Sequence, residues 1–543
     1  MNARTMKTWM GITLVGLLAG FGCKKQSAGP STSVDQAPKR AATAESAIAT
    51  NNPGDIASLA KEISEGVGEV QQSIPQGAIG PVLVFEEYHT SRVGQLQIGV
   101  MLLRLHERYG LKLIGLEGAL QRPQPLDAGW FQRAGGTAGQ TLREDTGLRM
   151  LAEGEISAAE FMALLFGQVQ VRGLEVEKEY GVLPESEGSP VAAYLLKIAE
   201  KKLTQSDILR INSLISDKKE KEALEYIKNS DPWVRRQFEV FNQKSISTPE
   251  LAKQVREIQD QAQRLGVEVE PGVRDGLQKT LDFYETASKR SSTMTSYLVN
   301  LLGSSPTAPV AMIIGAAHSK EVMNQLQAAG VSCALLRPIA FNPTFANLSM
   351  DEFERKNRLK WARITNGTLG RILNSYHKPP PFIETPTAQS YASAYMAVML
   401  VSEAARGGKR VPDGVKTELA GLPGLQVDLD SFQQVDGYDV IFRMWLTGTD
   451  GRKKEVWARA GTADTRERAR TLEQKLLQAV DDLGGGGGMP PGKPPRDSVA
   501  SGDSEGPGDG KRGDVLISRA GFRSLVVFAE SKEKVTAVGR ISD

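Results

Sequence analysis

The chain has few residues that form crosslinks or bind metals: among 543 residues there are two cysteines, Cys23 and Cys333, and four histidines. Two cysteines allow at most one intramolecular disulfide, which excludes a small disulfide-stabilised scaffold. Cys333 lies in the apolar run Val331–Ile339, which predicts a buried strand. In such a strand a thiol acts as a small hydrophobic side chain rather than as a nucleophile.

The chain also lacks an excess of charge of either sign. It has 66 Lys and Arg residues against 64 Asp and Glu residues, a formal net charge of +2. No basic stretch is interleaved with aromatic residues, so the pattern that nucleic-acid-binding proteins use is missing. The length itself predicts two or more domains and a large core.

The first residues have the order of an export signal. Arg4 and Lys7 precede the apolar run Gly11–Gly22, and Cys23 follows directly. The run is too short for a comfortable membrane span. This order resembles a bacterial lipoprotein signal, in which Cys23 is lipidated, and an ordinary cleaved signal or an uncleaved anchor is the alternative. Lipidation of Cys23 would leave Cys333 without a partner for a disulfide.

Composition divides the chain into six segments. The residues before about Pro53 are rich in Ser, Ala, Pro and Thr and cannot bury enough apolar surface to fold. Five consecutive glycines from Gly484 open a second linker. The predicted segments are a signal peptide over 1–23, a disordered tether over 24–53, an α/β domain over 54–349, an α+β accessory module over 350–483, a Gly/Pro-rich linker over 484–513 and a hairpin over 514–543.

Between the linkers, apolar runs alternate with helical patterns. Arg92–Tyr109 has apolar residues at the spacing of one helix face, and Ser157–Glu160 has the form of a helix-capping box. The strands are predicted at 81–86, 111–116, 169–174, 308–314 and 331–339. This alternation predicts an α/β fold, a mostly parallel sheet flanked by helices, with functional sites at the carboxyl ends of the strands.

The C-terminal part has a different pattern. Ala388–Ala405 predicts an amphipathic helix, Tyr438–Leu446 and Glu455–Ala460 predict a hairpin, and Thr465–Leu483 predicts a charged helix. After the glycine linker, residues 524–530 and 534–541 predict another hairpin. These elements indicate a small α+β module, and they contain no recognisable chemistry.

Ionisable residues follow several of the predicted strands. Glu86, Glu87, Tyr88 and His89 come directly after the first, and alternation places Glu87 and His89 on one face and Glu86 and Tyr88 on the other. Glu117 follows the second strand, where the glycines on both sides allow a close backbone approach.

Two further strand ends add candidates. The tight turn Gly315–Ala317 leads to His318, which we expect to be exposed, and Glu175 is a weaker candidate at the end of another strand. The other two histidines, His106 in a helix and His377 in a loop, have no such position.

Two segments together resemble a known superfamily. They are FEEYHTSRVGQLQIGVMLLRLHERYGLKLIGLEG and MIIGAAHS, about 200 residues apart. They are similar to the TraB/Tiki superfamily, which also includes ChaN-like haem-regulated lipoproteins and erythromycin esterases. Over about residues 79–338, Glu87 and His89 match its first Gly-x-x-His motif, Glu117 its middle glutamate, and Gly315 with His318 its last motif. Glu86 departs from the pattern, since it stands in place of the usual glycine of the first motif.

The resemblance implies a centre made of Glu87, His89, Glu117 and His318. These residues would be catalytic and would bind a divalent ion, Zn²⁺ or Mn²⁺, that activates water. Alternatively, His89 held by a carboxylate would act as a metal-free general base. Glu86 and Glu175 would hold these residues in place without contacting the substrate. The sequence contains no Gly-x-Ser-x-Gly nucleophile elbow, which disfavours a serine hydrolase.

Two functions follow as expectations. The first is a hydrolase-like protein, lipid-anchored to the bacterial envelope through Cys23, that cleaves an ester or peptide bond in a small-molecule or peptide substrate. The second is a non-catalytic binding protein of the ChaN type that takes haem or another ligand in the same cleft, with Tyr88 as the candidate haem ligand. The expected location is the membrane surface facing the periplasm or the exterior, with no nucleic-acid partner.

Overall fold

The structure is a computed structural model. It describes residues 55–87, 91–133, 139–179, 190–241, 247–303, 308–340, 369–370, 373, 382–407, 413–435, 439–448, 451–462, 471–483, 516–518 and 524–536. The predicted signal peptide with Cys23, the tether, the glycine linker and the two residues Tyr88 and His89 lie outside this set. Within it, no helix combines the length and the apolar character needed to cross a membrane.

A six-stranded sheet forms the centre of the first part of the chain. Its strands are β1 Gly68–Ile74, β2 Ile79–Glu87, β3 Leu113–Leu120, β4 Gln170–Glu175, β5 Val310–Gly315 and β6 Val331–Pro338. The spatial order is β1-β6-β2-β5-β3-β4, and all neighbours are parallel except β1 and β6. The predicted mostly parallel α/β sheet is confirmed. Strand β1 was not predicted, because its polar sequence GEVQQSI lies at an exposed edge without an apolar run.

Helices cover both faces of this sheet. One face carries α1 Ile56–Ser64, α2 Arg92–Tyr109, α3 Gly129–Arg133, α4 Gly139–Glu153 and α5 Ala158–Leu165. The other carries α11 Pro271–Leu302 and α12 Ser319–Ala328. Between β4 and β5, helices α6 to α10 form a group with the N-terminal half of α11 and a core of their own: α6 Pro190–Lys202, α7 Gln205–Ser216, α8 Glu220–Asn229, α9 Pro232–Phe241 and α10 Thr248–Arg264.

Local signals set the helix ends as predicted. The Ser91 hydroxyl accepts a hydrogen bond from the Gly94 N–H at 3.0 Å and begins α2, which ends at Gly110 in the left-handed region with φ of 73°. The predicted capping box is confirmed, because Ser157 and Glu160 each accept from the other's backbone N–H, at 3.3 and 3.0 Å.

A second sheet dominates the C-terminal part. Its elements are a 3₁₀ turn Phe382–Glu384, α13 Pro386–Gly407, α14 Asp413–Ala420, β7 Leu425–Val427, β8 Gln433–Val435, β9 Asp439–Thr447, β10 Lys453–Thr462, α15 Leu472–Asp482, β11 Leu516–Ser518, β12 Ser524–Ala529 and α16 Lys532–Thr536. The antiparallel order is β11-β12-β10-β9-β7, with β8 also paired to β9. The predicted hairpin β9–β10 is confirmed.

The last predicted hairpin differs from the structure. The expected strand over residues 534–541 begins inside helix α16, and β12 pairs with β11 instead, while residues 537–543 lie outside the described set. The Ser531 hydroxyl accepts a hydrogen bond from the Lys534 N–H at 3.4 Å, as an N-cap residue does. This cap favours a helix here over the strand that the following β-branched residues would favour.

The two parts of the chain share one hydrophobic core. Helix α13 packs against both α4 and the second sheet, and α15 covers the outer side of α2, where Arg104 donates to Glu473 at 2.6 Å. Helix α2 was expected to bury one face, yet every residue from Gly94 to His106 is buried. Its outer side is buried because α15 packs against it.

Candidate functional site

The carboxyl ends of β3, β4 and β5 meet at one edge of the first sheet. Apolar residues of β3 alternate between the two helix layers, and Leu116 faces the α2 side. Its neighbour Glu117 therefore faces the α11 side. The side chain is 3% exposed, so the sheet edge buries a carboxylate where solvent cannot solvate it.

Glu117 is held by backbone and side-chain donors. Its Oε2 accepts from the Gly315 N–H of β5 at 2.5 Å, and its Oε1 accepts from Arg290 Nη2 at 3.1 Å. Gly315 is the last residue of β5, so its N–H lies at the sheet edge where Glu117 is placed. Charge-assisted hydrogen bonds of this kind compensate a buried carboxylate.

Arg290 joins two glutamates from different strands. It lies in the middle of α11, donates through Nε to Glu175 Oε2 at 3.1 Å, and donates through Nη2 to both Glu175 Oε1 and Glu117. Arg290 is 5% exposed and Glu175 is 1% exposed. The planar guanidinium thus bridges the ends of β3 and β4 in a geometry that a lysine ammonium cannot reproduce.

His318 completes the cluster. The turn after β5 closes with a bond from the His318 N–H to Gly315 O at 2.9 Å, and His318 caps α12. Its ring Nε2 lies 3.3 Å from Glu117 Oε1, and its Nδ1 lies 2.8 Å from Ser291 Oγ. The expectation that His318 is exposed was wrong, because α11 covers this turn and leaves the residue 4% exposed.

The neighbours of the ring define its tautomer. A carboxylate accepts hydrogen bonds and donates none, so we assign the proton of the neutral ring to Nε2, which faces Glu117. Nδ1 is then an acceptor facing the Ser291 hydroxyl. That hydroxyl also lies 3.1 Å from Ala287 O in the preceding turn of α11, so its single proton has two acceptors.

We call Glu117, Glu175, Arg290, Ser291 and His318 the sheet-edge cluster. Of the residues predicted from sequence, the structure brings Glu117, Glu175 and His318 together in it. Arg290 and Ser291 were missed. In sequence they lie inside a long charged helix and not next to a predicted strand, and nothing in the local run Lys289–Ser292 marks them as site residues.

Glu86 and Glu87 lie at the end of β2, the other neighbour of β5, and have different partners. Leu83 and Phe85 face α2, and so does Glu87, whose Oε2 accepts from Gln95 Nε2 of α2 at 2.6 Å. Glu86 faces the α12 side, where it forms an ion pair with Arg337 of β6. Strand β5 separates β2 from β3, a spacing of about 10 Å at two strand intervals. Neither glutamate bonds to the sheet-edge cluster in the hydrogen bonds and ion pairs described above.

The described side chains do not fit a metal ion. In the part of the chain that the structure describes, no three His, Cys, Asp or Glu side chains are placed to hold one. At the sheet-edge cluster the reason is Arg290, whose guanidinium occupies carboxylate oxygens that a cation would need. His89, the remaining predicted ligand, and Tyr88, the candidate haem ligand, lie outside the described residues.

The other titratable candidates have structural roles. Burial lowers the pKa of His106, whose Nδ1 lies 2.9 Å from Leu111 O and whose ring packs on Phe166. Burial raises the pKa of the Cys333 thiol to about 11, which confirms that Cys333 is a buried hydrophobic residue of β6.

Comparison with known proteins gives no relative from which the roles of these residues could be transferred. No protein-family model, curated protein or solved structure matches this chain.

Proposed function

We propose that the chain is an envelope-anchored hydrolase that cleaves an ester or peptide bond with His318 as general base. The observation that carries the proposal is the position of His318 between Glu117 and Ser291, at 3.3 and 2.8 Å, at the carboxyl edge of a parallel sheet. A histidine oriented by a carboxylate on one ring nitrogen can act as a general base through its other nitrogen.

In the proposed reaction, His318 Nδ1 removes a proton from water as the water oxygen attacks the substrate carbonyl. Nε2–H remains bonded to Glu117, which stabilises the imidazolium that forms. The imidazolium then returns the proton to the leaving oxygen or nitrogen as the bond to the acyl carbon breaks. Ser291 holds Nδ1 in the resting state and frees it when its hydroxyl turns to Ala287 O.

Arg290 and Glu175 keep Glu117 in place. Without Arg290, two carboxylates would share a buried site, and their repulsion would favour protonation of one of them. Arg290 donates to both carboxylates and offsets this repulsion. Because the cluster is buried, turnover requires a local opening of this edge, and the low dielectric of the closed state strengthens the Glu117–His318 interaction.

The proposal includes membership of the TraB/Tiki superfamily over about residues 79–338. It is supported by the meeting of Glu117 and His318, which match two of the superfamily motifs, on one α/β sheet. The superfamily pattern also includes Glu87 and His89, and with them Zn²⁺ or Mn²⁺ chemistry, or haem binding, is the alternative to the metal-free reaction.

The experiment is a hydrolysis screen of the full-length chain with 4-nitrophenyl esters and quenched fluorescent peptides. His318→Gln should lower turnover at least about 100-fold, the effect of removing a general base, whereas His106→Gln, the control in a buried structural histidine, should retain it. Activity that is equal in both variants would refute the role of His318. Loss of activity with a chelator and recovery with Zn²⁺ or Mn²⁺ would support the metal-dependent alternative, and tight haem binding without turnover would support the ChaN-type one.

Anchoring is tested separately. Cys23→Ser should abolish labelling with a fatty-acid analogue and release the protein from the membrane fraction, since two or more acyl chains give far stronger anchorage than one. A Cys23→Ser protein that stays in the membrane with unchanged electrophoretic mobility would refute the lipoprotein proposal.

A further inference from the structure

A polar groove lies in the helical group, apart from the sheet-edge cluster. It has a volume of about 840 Å³ and runs between α9 and α10. Its walls include Trp233, Arg236 and Gln237 of α9, Lys253 and Gln254 of α10, and Lys320 in the first turn of α12. Val234 and Phe241 on α9 pack with Leu251 and Val255 on α10 in the core below, which fixes the two walls.

Gln237 is an unusual residue in this groove. It is 3% exposed, and its Oε1 has no hydrogen-bond partner among the described residues. A buried acceptor without a partner is unfavourable, and native structures seldom retain one without a reason. The neighbouring Gln254 shows the contrast, because its Nε2 donates to Glu250 at 2.8 Å. Gln237 also lines the groove, so a rotation of its amide would bring this buried acceptor to a donor bound there.

The carboxylates of the groove already have cationic partners. Glu239 lies 3.5 Å from Arg235, and Lys253 lies 4.0 Å from both Glu250 and Glu257. Lys253 is shared by two carboxylates, so the lining as a whole has four cationic side chains against three carboxylates, a net charge of +1.

Two cations of the groove are uncommitted. Arg236 and Lys320 line the groove from different helices, and within the described ranges neither forms an ion pair or a side-chain hydrogen bond. The charge available to a ligand is therefore positive, and it lies beside an unpaired acceptor.

We propose that this groove binds a small hydroxylated molecule that carries an oxyanion, the chemistry shared by a sugar phosphate and a sugar carboxylate. Arg236 and Lys320 hold the oxyanion, which a guanidinium and an ammonium both bind well. Gln237 Oε1 accepts a hydrogen bond from a hydroxyl of the same molecule. Trp233 supplies an apolar wall for its carbon skeleton. The site does not depend on the proposed hydrolytic centre.

Isothermal titration of the full-length chain in detergent tests the ligand class. The probes are glucose 6-phosphate, glucuronate, inorganic phosphate and glucose. At least one of the two hydroxylated anions should bind about tenfold or more tightly than both inorganic phosphate and glucose, because only it engages the cations and Gln237 together. The preferred anion distinguishes a phosphate from a carboxylate source. Equal binding of inorganic phosphate would overturn the proposal, and so would absence of binding by both hydroxylated anions.

Variants test the residues. Arg236→Gln and Lys320→Gln should each weaken the preferred probe about tenfold. Arg264→Gln, an exposed arginine at the end of α10 outside the groove, removes the same charge and should change nothing. Gln237→Leu should weaken binding while raising the thermal midpoint of the free protein, because it removes the unpaired acceptor. Equal weakening by Arg264→Gln, or unchanged binding by Gln237→Leu, would contradict the assignment.

Discussion

Replacing Arg290 with methionine should destabilise the first sheet strongly. Methionine keeps the apolar stem but removes the guanidinium, which leaves Glu117 and Glu175 buried at 3% and 1% exposure without this cation. Removing one partner of a buried ion pair costs about 3–5 kcal/mol, because an uncompensated charge remains in a low-dielectric interior. We expect a loss of this size in the free energy of unfolding.

The chain contains a matched control. Arg256 of α10 forms an ion pair with Glu285 of α11, but these side chains are 54% and 45% exposed. Solvent screens such a pair, so Arg256→Met should cost only about 0–1 kcal/mol. The neutralised triple variant Arg290→Met, Glu117→Gln, Glu175→Gln should recover part of the stability lost in Arg290→Met, because the penalty comes from charge rather than from lost packing.

Urea unfolding followed by far-ultraviolet circular dichroism compares the four proteins. The informative quantity is the difference in unfolding free energy between Arg290→Met and Arg256→Met. A difference below about 1 kcal/mol, or a triple variant no more stable than Arg290→Met, would show that the sheet-edge cluster is not a buried ion network.

Three other predictions concern single residues. Burial and a hydrogen bond to Glu62 raise the pKa of Tyr109 from 10.0 to about 12. The contribution of Tyr109 to the free energy of unfolding is therefore present below pH 10 and is lost as the pH rises towards 12. Thermal unfolding of Tyr109→Phe should not show this loss of stability at alkaline pH. Burial holds the pKa of Cys333 at about 11, so a thiol reagent at neutral pH should label the Cys23→Ser protein only after denaturation, and rapid labelling of the folded protein would contradict this. A Cβ at Gly173 would lie 2.2 Å from a backbone carbonyl oxygen of β3, so Gly173→Ala should destabilise by about 1–3 kcal/mol in urea unfolding, whereas Gly272→Ala, in open helical space, should stabilise by about 0.4–1 kcal/mol.

The strands of the first sheet were predictable because their signal is local. Each buried parallel strand is a short run of Val, Ile and Leu bounded by turns, and the structure moves its ends by only a few residues. Strand ends in turn predicted Glu117 and His318 as members of one site. The polar edge strand β1 lacks such a run, and only its pairing with β6 reveals it.

The rest of the site could not be predicted, because it depends on tertiary packing. Arg290 and Ser291 reach the cluster from a helix whose position over the sheet is set by the whole helical group. Alternation correctly separated Glu86 from Glu87. It could not say which face meets Glu117, since both faces of a buried parallel strand are apolar and neither one is marked by solvent.

The position of β5 has a consequence for the way the chain is made. This strand lies between β2 and β3 in space, yet in sequence it follows β3 by nearly 200 residues and β2 by more than 200. During synthesis, β2 and β3 emerge long before the strand that joins them, and the backbone N–H and C=O groups along their facing edges remain unpaired in the meantime. Such edges bind one another in neighbouring nascent chains, so a chaperone that shields the first half until β5 arrives should raise the yield of folded protein.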